Sequence, residues 1–192
     1  MPARFASCMR LVPYWPMPST AVLSLLASLA ACGGGSVSDA FPPACPRAGI
    51  LSDAGSIIRY RPQAPLGGQD LTDMTLEGRI IGVSGKCERE SRNKLGVTIS
   101  ARMRLARGPA AQGRTVEVPY FIAVTEGQRI LDKQVATVRA EFPRNADQVR
   151  LSTDETHLTL PISRQKSGAA YDVLVGFQLT PEELARNRQR GG

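Results

Sequence analysis

A strict alternation of apolar and polar side chains runs through the segment from Leu95 to Leu105. Every odd position of the segment is apolar, and threonine, serine or arginine stands at the even positions from 98 to 104. Successive side chains of a β-strand point to opposite faces, whereas a helix repeats every 3.6 residues. The segment therefore predicts a strand with one buried face and one solvated face.

The same period of two recurs along the chain, in Val116–Val124 on even positions and in Tyr171–Leu179 on odd positions. Weaker strand patterns, separated by turns that contain Gly, Pro, Asn or Asp, are Ser56–Arg61, Thr75–Val83, Val135–Phe142, Gln148–Ser152 and Thr156–Ile162. Many short strands at regular spacing, with no long amphipathic helix between them, are typical of a sandwich. We expect an all-β fold, an immunoglobulin-like antiparallel sandwich of about seven or eight strands.

Three details refine the predicted strands. Pro119 has no N–H to donate, so its strand should lie at a sheet edge or carry a bulge there. Leu158, Leu160 and Ile162 should face the core, which turns His157 toward solvent. Tyr60, Tyr120 and Tyr171 fall on apolar phases or strand interiors, so we expect them to pack in the core rather than to form a sugar-stacking platform.

The end of the chain predicts a short helix. Thr180 can cap it, Pro181 suits the first turn because its missing donor is not needed there, and Glu183 completes a capping box. Acidic residues at its start and arginines toward its end complement the helix dipole. We expect about two turns that pack on the sandwich through Leu184.

The N-terminal residues 1–31 are typical of an export signal. Arg4 and Arg10 precede an apolar run, Ala21–Ala31, which is 11 residues long, and a membrane span needs about 20. Leu29-Ala30-Ala31-Cys32 resembles the lipobox of bacterial lipoproteins at all four positions, which implies cleavage before Cys32 and lipidation of that cysteine, with palmitate among the acyl chains. A plain secretory signal cleaved near Ala31 is the alternative.

This signal predicts where the mature chain resides. Lipoproteins with aspartate after the lipidated cysteine tend to stay at the inner membrane, and here Gly33 follows it. We therefore expect a lipid anchor at the outer membrane, facing the periplasm. Residues 32–47, rich in Gly, Ser and Pro, predict a flexible tether that spans about 20 Å, and residues 48–192 predict one sandwich domain.

Four cysteines are present, and loss of Cys8 with the signal and lipidation of Cys32 would leave Cys45 and Cys87. Two thiols in an oxidising compartment predict one disulfide. Its loop of about 43 residues gives it a value of about 4 kcal/mol in the chain-entropy model. Two separately buried cysteines are the alternative. Both cysteines and His157 are too few for a structural zinc site, so we predict no metal and no cofactor.

The formal net charge is +7, and removal of residues 1–31 leaves 22 basic and 17 acidic side chains, a charge of about +5. For an exported chain this favours lipid headgroups, lipopolysaccharide or cell-wall polymers over nucleic acid as acidic partners, while a solvated basic surface is the simpler interpretation. The densest group, Arg186, Arg188 and Arg190, is a candidate anion-binding site.

Nothing in the sequence predicts catalysis. A Ser-His-Asp arrangement would need His157, and neither a nucleophile elbow nor a phosphate-binding glycine loop occurs. Asp70 with Asp73 and Glu88 with Glu90 are carboxylate pairs of a kind that is common in loops. The tryptophan Trp15 lies in the signal, so a carbohydrate-binding module is a weaker hypothesis. We predict that the chain is not an enzyme.

Three motifs carry a family resemblance: Cys45-Pro-Arg-Ala-Gly-Ile-Leu-Ser-Asp-Ala54, Arg107-Gly-Pro-Ala-Ala111 and Val175-Gly-Phe-Gln-Leu-Thr-Pro-Glu-Glu-Leu-Ala-Arg-Asn-Arg188. They are similar to motifs of an alphaproteobacterial lipoprotein family with no assigned activity. The resemblance implies a location and a domain extent, but no catalytic residue. Two hypotheses follow: an interaction module of an envelope protein complex, and a binding protein for an anionic envelope polymer or lipopolysaccharide.

Overall fold

Within residues 44–62 and 70–191, which a computed structural model describes, nine β-strands and one α-helix are present. The strands form two facing sheets, which confirms the all-β sandwich. Cys32, the signal and most of the predicted tether lie outside the described residues. The elements are β1 (Arg47–Ile50), β2 (Ser56–Tyr60), β3 (Met74–Ser91), β4 (Lys94–Arg107), β5 (Thr115–Glu126), β6 (Arg129–Glu141), β7 (Gln148–Ser152), β8 (Thr156–Pro161), β9 (Asp172–Phe177) and α1 (Pro181–Arg190).

The first sheet has the strand order β1-β9-β5-β6, and the second has the order β2-β3-β4-β7 with β8 also on β4. Strand β4 is long enough to pair with β8 over its first half and with β7 over its second half. Between these halves the buried Thr153 hydroxyl accepts from Ala101 N at 3.0 Å, and Thr153 N donates to Ala101 O at 2.9 Å. All strand pairs are antiparallel except β1 with β9, among the described strands.

The core lies between the sheets, on the faces that the alternation predicts. The odd positions of β4 from Leu95 to Leu105, the even positions of β5 from Val118 to Val124 and the odd positions of β9 are buried, as expected. Leu158, Leu160 and Ile162 are buried too, while His157 is exposed. Full burial of one such aliphatic side chain contributes about 1.5–3 kcal/mol, so three strands with continuous apolar faces supply much of the driving force for folding.

Three strand boundaries differ from the predictions. Strand β1 begins at Arg47, where the tether was predicted to continue, because its backbone pairs with β9 from Arg47 opposite Asp172. Strand β3 continues to Ser91 rather than ending near Val83, and β6 begins at Arg129 rather than Val135. Both extensions lack an alternating apolar face and pair as arms of long hairpins, so partner backbone rather than hydrophobic pattern makes them strands.

The prediction for Pro119 is wrong. Strand β5 lies between β9 and β6, and its register shift falls at Val124/Thr125 rather than at Pro119. Pro119 O accepts from Gln178 N at 2.9 Å, just past the last residue of β9. Because N–H and C=O of one strand residue point to the same side, the missing donor of Pro119 faces a position where β9 has already ended. Proline is therefore tolerated in a central strand.

One side of the sandwich is closed, and we call it the sealed side. There the chain passes directly from β1 of the first sheet, through a 3-10 turn at Ser52–Ala54, to β2 of the second sheet. Where the crossing reaches the second sheet, Gly55 O accepts from Ile80 N of β3 at 2.9 Å. On the outer face of the first sheet, Ala54, Phe121 and Ala123 form a second small apolar cluster, so the crossing is packed as well as bonded.

Helix α1 lies against the sealed side, in contact with β2 and the 3-10 turn. Its predicted capping box is present, with Glu183 N donating to Thr180 Oγ1 and Thr180 N donating to Glu183 Oε2. The predicted contact residue Leu184 is only half-buried, and Glu183 is the buried residue of this helix. Polar contacts, rather than an apolar face, therefore hold α1 in place.

Candidate functional site

The two predicted cysteines meet, which confirms the disulfide. Cys45 and Cys87 are bonded, with their Cα atoms 5.9 Å apart. The bond ties the chain just before β1 to the distal half of β3, which belongs to the opposite sheet. It therefore fastens the start of the described domain to the second sheet, and its role is structural.

Each of the three helical arginines has a partner on the domain itself. Arg188 Nε donates to Asp53 Oδ2 at 3.0 Å, and the Arg186 guanidinium lies 5.8 Å from the centre of the Tyr60 ring. Arg190 Nη2 is 3.5 Å from Tyr60 Oη. Tyr60 is half-buried rather than a core residue. These contacts dock the helix and compete with any external anion for the same side chains.

Two further side chains complete the docking of α1 through contacts that the sequence did not predict. The Asn187 amide donates to Asp53 O at 2.9 Å and to Ser56 O at 2.8 Å. The buried Glu183 carboxylate accepts from Arg59 Nε at 3.3 Å. The Thr-x-x-Glu spacing indicates a capping role for Glu183, but no local signal could connect residues more than 120 positions apart.

His157 lies in a polar cluster that the sequence did not predict. Its Nε2 is 2.7 Å from Glu90 Oε1 and its Nδ1 is 3.5 Å from Thr98 Oγ1. The Glu90 side chain reaches from β3 across β4 at Gly96, where a Cβ would lie 2.5 Å from Glu90 Oε1. Absence of a side chain at Gly96 thus allows a contact between β3 and β8 across the strand that separates them.

The Thr98 hydroxyl, the His157 imidazole and the Glu90 carboxylate lie in the same order as the nucleophile, the base and the orienting acid of a catalytic triad. Here, however, the group lies on the solvated outer face of the second sheet, and His157 and Glu90 are both exposed. The Thr98 contact is longer than the 2.6–3.2 Å or so over which a base takes a proton directly. The geometry favours a structural role, in which these side chains link β3 and β8 at the surface.

The carboxylate pairs named from sequence do not act as pairs. Asp70 Oδ1 accepts from Thr72 N at 2.7 Å and from the Thr72 hydroxyl, and these hydrogen bonds lower the pKa of Asp70. The buried Asp73 carboxylate instead binds Arg61. Each of these two carboxylates thus has its own local partner. Glu90 binds His157 rather than Glu88.

Opposite the sealed side, the sandwich remains open, and we call this the open side. Strand β6 is the edge of the first sheet and pairs with β5 alone among the described strands. Residues 129–137 of β6 are all exposed, and among them Ile130 is 63% exposed, Leu131 41% and Val135 56%. An unpaired edge with apolar side chains is a template for another strand.

A cleft of about 290 Å³ lies between β6 and β8 on the open side. Its floor is apolar and includes Val124, Leu158, Leu160 and Tyr171. Asp132 and Gln134 stand at the rim, opposite the core residues Val124 and Ile122 of β5, so their side chains point toward the space between the sheets. This cleft, together with the β6 edge, is the candidate binding site.

An ion pair between Lys166 and Glu126 lies at the end of the open side, and we call it the clasp. Lys166, between β8 and β9, is 2.7 Å from the Glu126 carboxylate at the end of β5, and its ammonium lies 4.5 Å from the centre of the Tyr171 ring. The hydrogen bonds from Lys166 and Arg129 lower the pKa of Glu126, and the contact with Glu126 raises the pKa of Lys166. Tyr171 Oη in turn donates to Pro161 O at 2.6 Å, which fixes the floor of the cleft.

No protein-family model, curated protein or solved structure matches this chain. The resemblance to alphaproteobacterial lipoproteins therefore stays a prediction from its motifs. In the described part of the chain, no helix has the length and apolarity to cross a membrane. Within residues 44–62 and 70–191, no three side chains of His, Cys, Asp or Glu gather in a way that could hold a metal ion.

Proposed function

We propose that the chain is a lipoprotein anchored through Cys32 at the periplasmic face of the outer membrane, and that its sandwich domain is an interaction module of an envelope protein complex. The occupant of the open side is an extended strand of a partner protein. The observation that carries this proposal is the coincidence of an unpaired strand edge with an apolar cleft directly beside it.

Strand addition needs both of these features. Backbone hydrogen bonds along the edge supply affinity, and pockets for alternate side chains supply specificity. A strand added to β6 would place every second side chain on the same face as Asp132 and Gln134, over the cleft floor of Leu158 and Leu160. The partner segment should therefore alternate, with apolar residues facing the cleft.

Charged residues on β6 restrict the choice of partner. Asp132, Lys133 and Arg139 all stand on this edge strand, and charges on an edge discourage uncontrolled pairing between copies of a protein. Lys133 is also held over the Phe121 ring, with its ammonium 4.5 Å from the ring centre. A partner that supplies complementary charges beside its apolar residues can overcome this barrier.

The anchor has its own test. Cells that express the chain are labelled with radioactive palmitate, and the envelope is fractionated. We expect label on the protein and recovery with outer membranes, while Cys32→Ala loses the label and is released. Label that persists in Cys32→Ala would contradict the lipidation site, and a mature N-terminus at another residue would favour the plain secretory signal.

Site-specific photo-cross-linking in intact membranes tests the partner site. A photoreactive residue at Leu131 or Val135 should give a discrete heterologous adduct. The same residue at Leu71, which is 74% exposed on another part of the surface, is the matched control and should give none. Adducts of twice the chain mass would show that a second copy occupies the edge. Equal cross-linking from all three positions would contradict a specific site.

A further inference from the structure

Four arginines share the solvated outer face of the second sheet. Arg79 of β3, Arg104 of β4 and Arg150 of β7 stand directly opposite one another in the ladder, and Arg102 follows two positions along β4. Their chain neighbours Ile80, Met103, Leu105, Val149 and Leu151 belong to or pack on the core, so these arginines point outward. We call this set the arginine face.

Among the described residues, no side chain neutralises the arginine face. None of the four arginines forms an ion pair or a side-chain hydrogen bond with any described residue. Glu77 lies near Arg79 and Arg104, and Glu155 lies further along the same face, but both are outside ion-pair distance. Like charges directly opposite one another in a sheet are destabilising, so the row costs stability unless an external anion binds it.

Two geometrical details favour a ligand with phosphate groups. Neighbouring strands are about 4.8 Å apart, so the row from Arg79 to Arg150 spans about 10 Å. The Arg102 guanidinium extends over Gly82, where a Cβ would lie 3.0 Å from Arg102 Nη2, so it rests on the sheet rather than projecting freely. Each guanidinium is planar and presents paired N–H donors that match the oxygens of a phosphate group in a bidentate manner.

The shape of the face indicates a surface rather than a small molecule. The recess between Glu77, Arg79, Arg104 and Gln148 has a volume of about 20 Å³, which is too small for a phosphate group to enter. The outer face of a sheet presents the side chains of neighbouring strands side by side, as an open array rather than a closed pocket. Such an array is complementary to the headgroup layer of an anionic bilayer.

We infer that the arginine face docks the domain onto the anionic phospholipid surface of the membrane. The inference rests on the proposed envelope location but not on a partner at the β6 edge. It also goes beyond the candidate site Arg186, Arg188 and Arg190, whose side chains contact Asp53 and Tyr60. Docked in this way, the domain would lie with its second sheet on the headgroups.

Vesicle binding tests the inference without the lipid anchor. The compact unit Phe41–Gly192 contains every described strand, the disulfide and the helix, so we expect a chain that begins at residue 32 with Cys32→Ser to fold. Its binding is measured by co-sedimentation with vesicles of equal parts phosphatidylglycerol and phosphatidylcholine, and with phosphatidylcholine alone. We expect binding to the anionic vesicles, weakened by salt.

The decisive variant is Arg79→Gln with Arg104→Gln and Arg150→Gln. A basic residue near an anionic bilayer contributes a factor of about five in binding, so the triple variant should lose about 100-fold. Arg92→Gln with Arg144→Gln and Arg164→Gln is the matched control. It removes the same charge from exposed arginines of loops and turns and should lose less than about threefold.

A double variant and a second ligand complete the test. The double variant Arg79→Gln with Arg150→Gln leaves the half-buried Arg104 in place and should lose about 25-fold, even if the triple variant fails to fold. Equal losses in the face and control variants would overturn the inference in favour of net charge. A larger loss from replacing Arg186, Arg188 and Arg190 would overturn it in favour of the helix. Binding of inorganic polyphosphate without binding of anionic vesicles would overturn the bilayer as occupant.

Discussion

The two sides of the sandwich differ in how the sheets are joined. On the sealed side the chain itself crosses between the sheets, and α1 covers the crossing through Asn187 and Glu183. On the open side β6 and β8 are separated by the cleft, and the residues of β6 up to Thr137 are exposed. The comparison teaches that the sheets are joined where the chain crosses between them, and that the opposite edge keeps apolar side chains exposed.

The largest expected effect concerns the disulfide that fastens the chain before β1. Cys45→Ser with Cys87→Ser should lower the free energy of unfolding by about 2–5 kcal/mol, because the open chain gains the entropy of a loop with a sequence separation of 42. Urea unfolding followed by circular dichroism measures the change. A loss below about 1 kcal/mol would show that the sealed side does not depend on this bond.

A matched pair of isoleucines compares the two sides directly. Ile57→Ala on β2 should cost about 3 kcal/mol, because Ile57 is 0% exposed and its removal leaves a cavity. Ile130→Ala on β6 should cost less than about 0.5 kcal/mol, because Ile130 is 63% exposed. Chemical unfolding of both variants gives the two values, and similar losses would contradict the distinction between the sides.

Two amide side chains give a smaller contrast. Asn187→Ala leaves the carbonyls of Asp53 and Ser56 without their shared donor and should cost about 1–2 kcal/mol. Gln134→Ala on β6 removes only an exposed hydrogen bond of 3.2 Å to Asp132 and should be nearly neutral. Thermal unfolding separates the two outcomes. A neutral Asn187→Ala would mean that α1 is not held by this amide.

The smallest expected effect concerns the clasp on the open side. Glu126 has a lowered pKa because of its hydrogen bonds to Lys166 and Arg129. A carboxylate whose pKa is lower in the folded state stabilises that state above its unfolded pKa, and this contribution disappears as pH falls through the folded value. Carbon NMR of the Glu126 carboxyl should therefore show a midpoint below the usual value of 4.5. Lys166→Met should raise this midpoint. An unchanged midpoint would contradict the contact between Lys166 and Glu126.

The sequence predicted those strands that carry a clear hydrophobic pattern. Where one face of a strand is buried, as along β4, alternation fixes both the element and its orientation, because a slip by one residue would expose the whole apolar set. The distal arm of β3 and the start of β6 have no such pattern, since nearly all of their side chains are exposed. Their strand structure comes from pairing with β4 and β5, which a local window of sequence does not contain.

Whether a candidate site could be predicted depended on how its residues come together. The cysteine pair was predictable from the count and the expected compartment. The row of Arg79, Arg104 and Arg150 was not, because strand register rather than sequence spacing places the three side chains together. The densest run of arginines in the sequence, at the end of α1, instead faces partners on its own domain.

By itself, the sequence determined the all-β class, the buried faces of the main strands, the capped terminal helix and the cysteine pair, because each of these depends on local periodicity, on capping chemistry or on a count of residues. Only the tertiary structure decided that Pro119 stands in a central strand, that one side is sealed and the other open, and that four arginines share one face. Those features depend on which strands become neighbours, and that choice is made by burial over the whole domain rather than by any one segment.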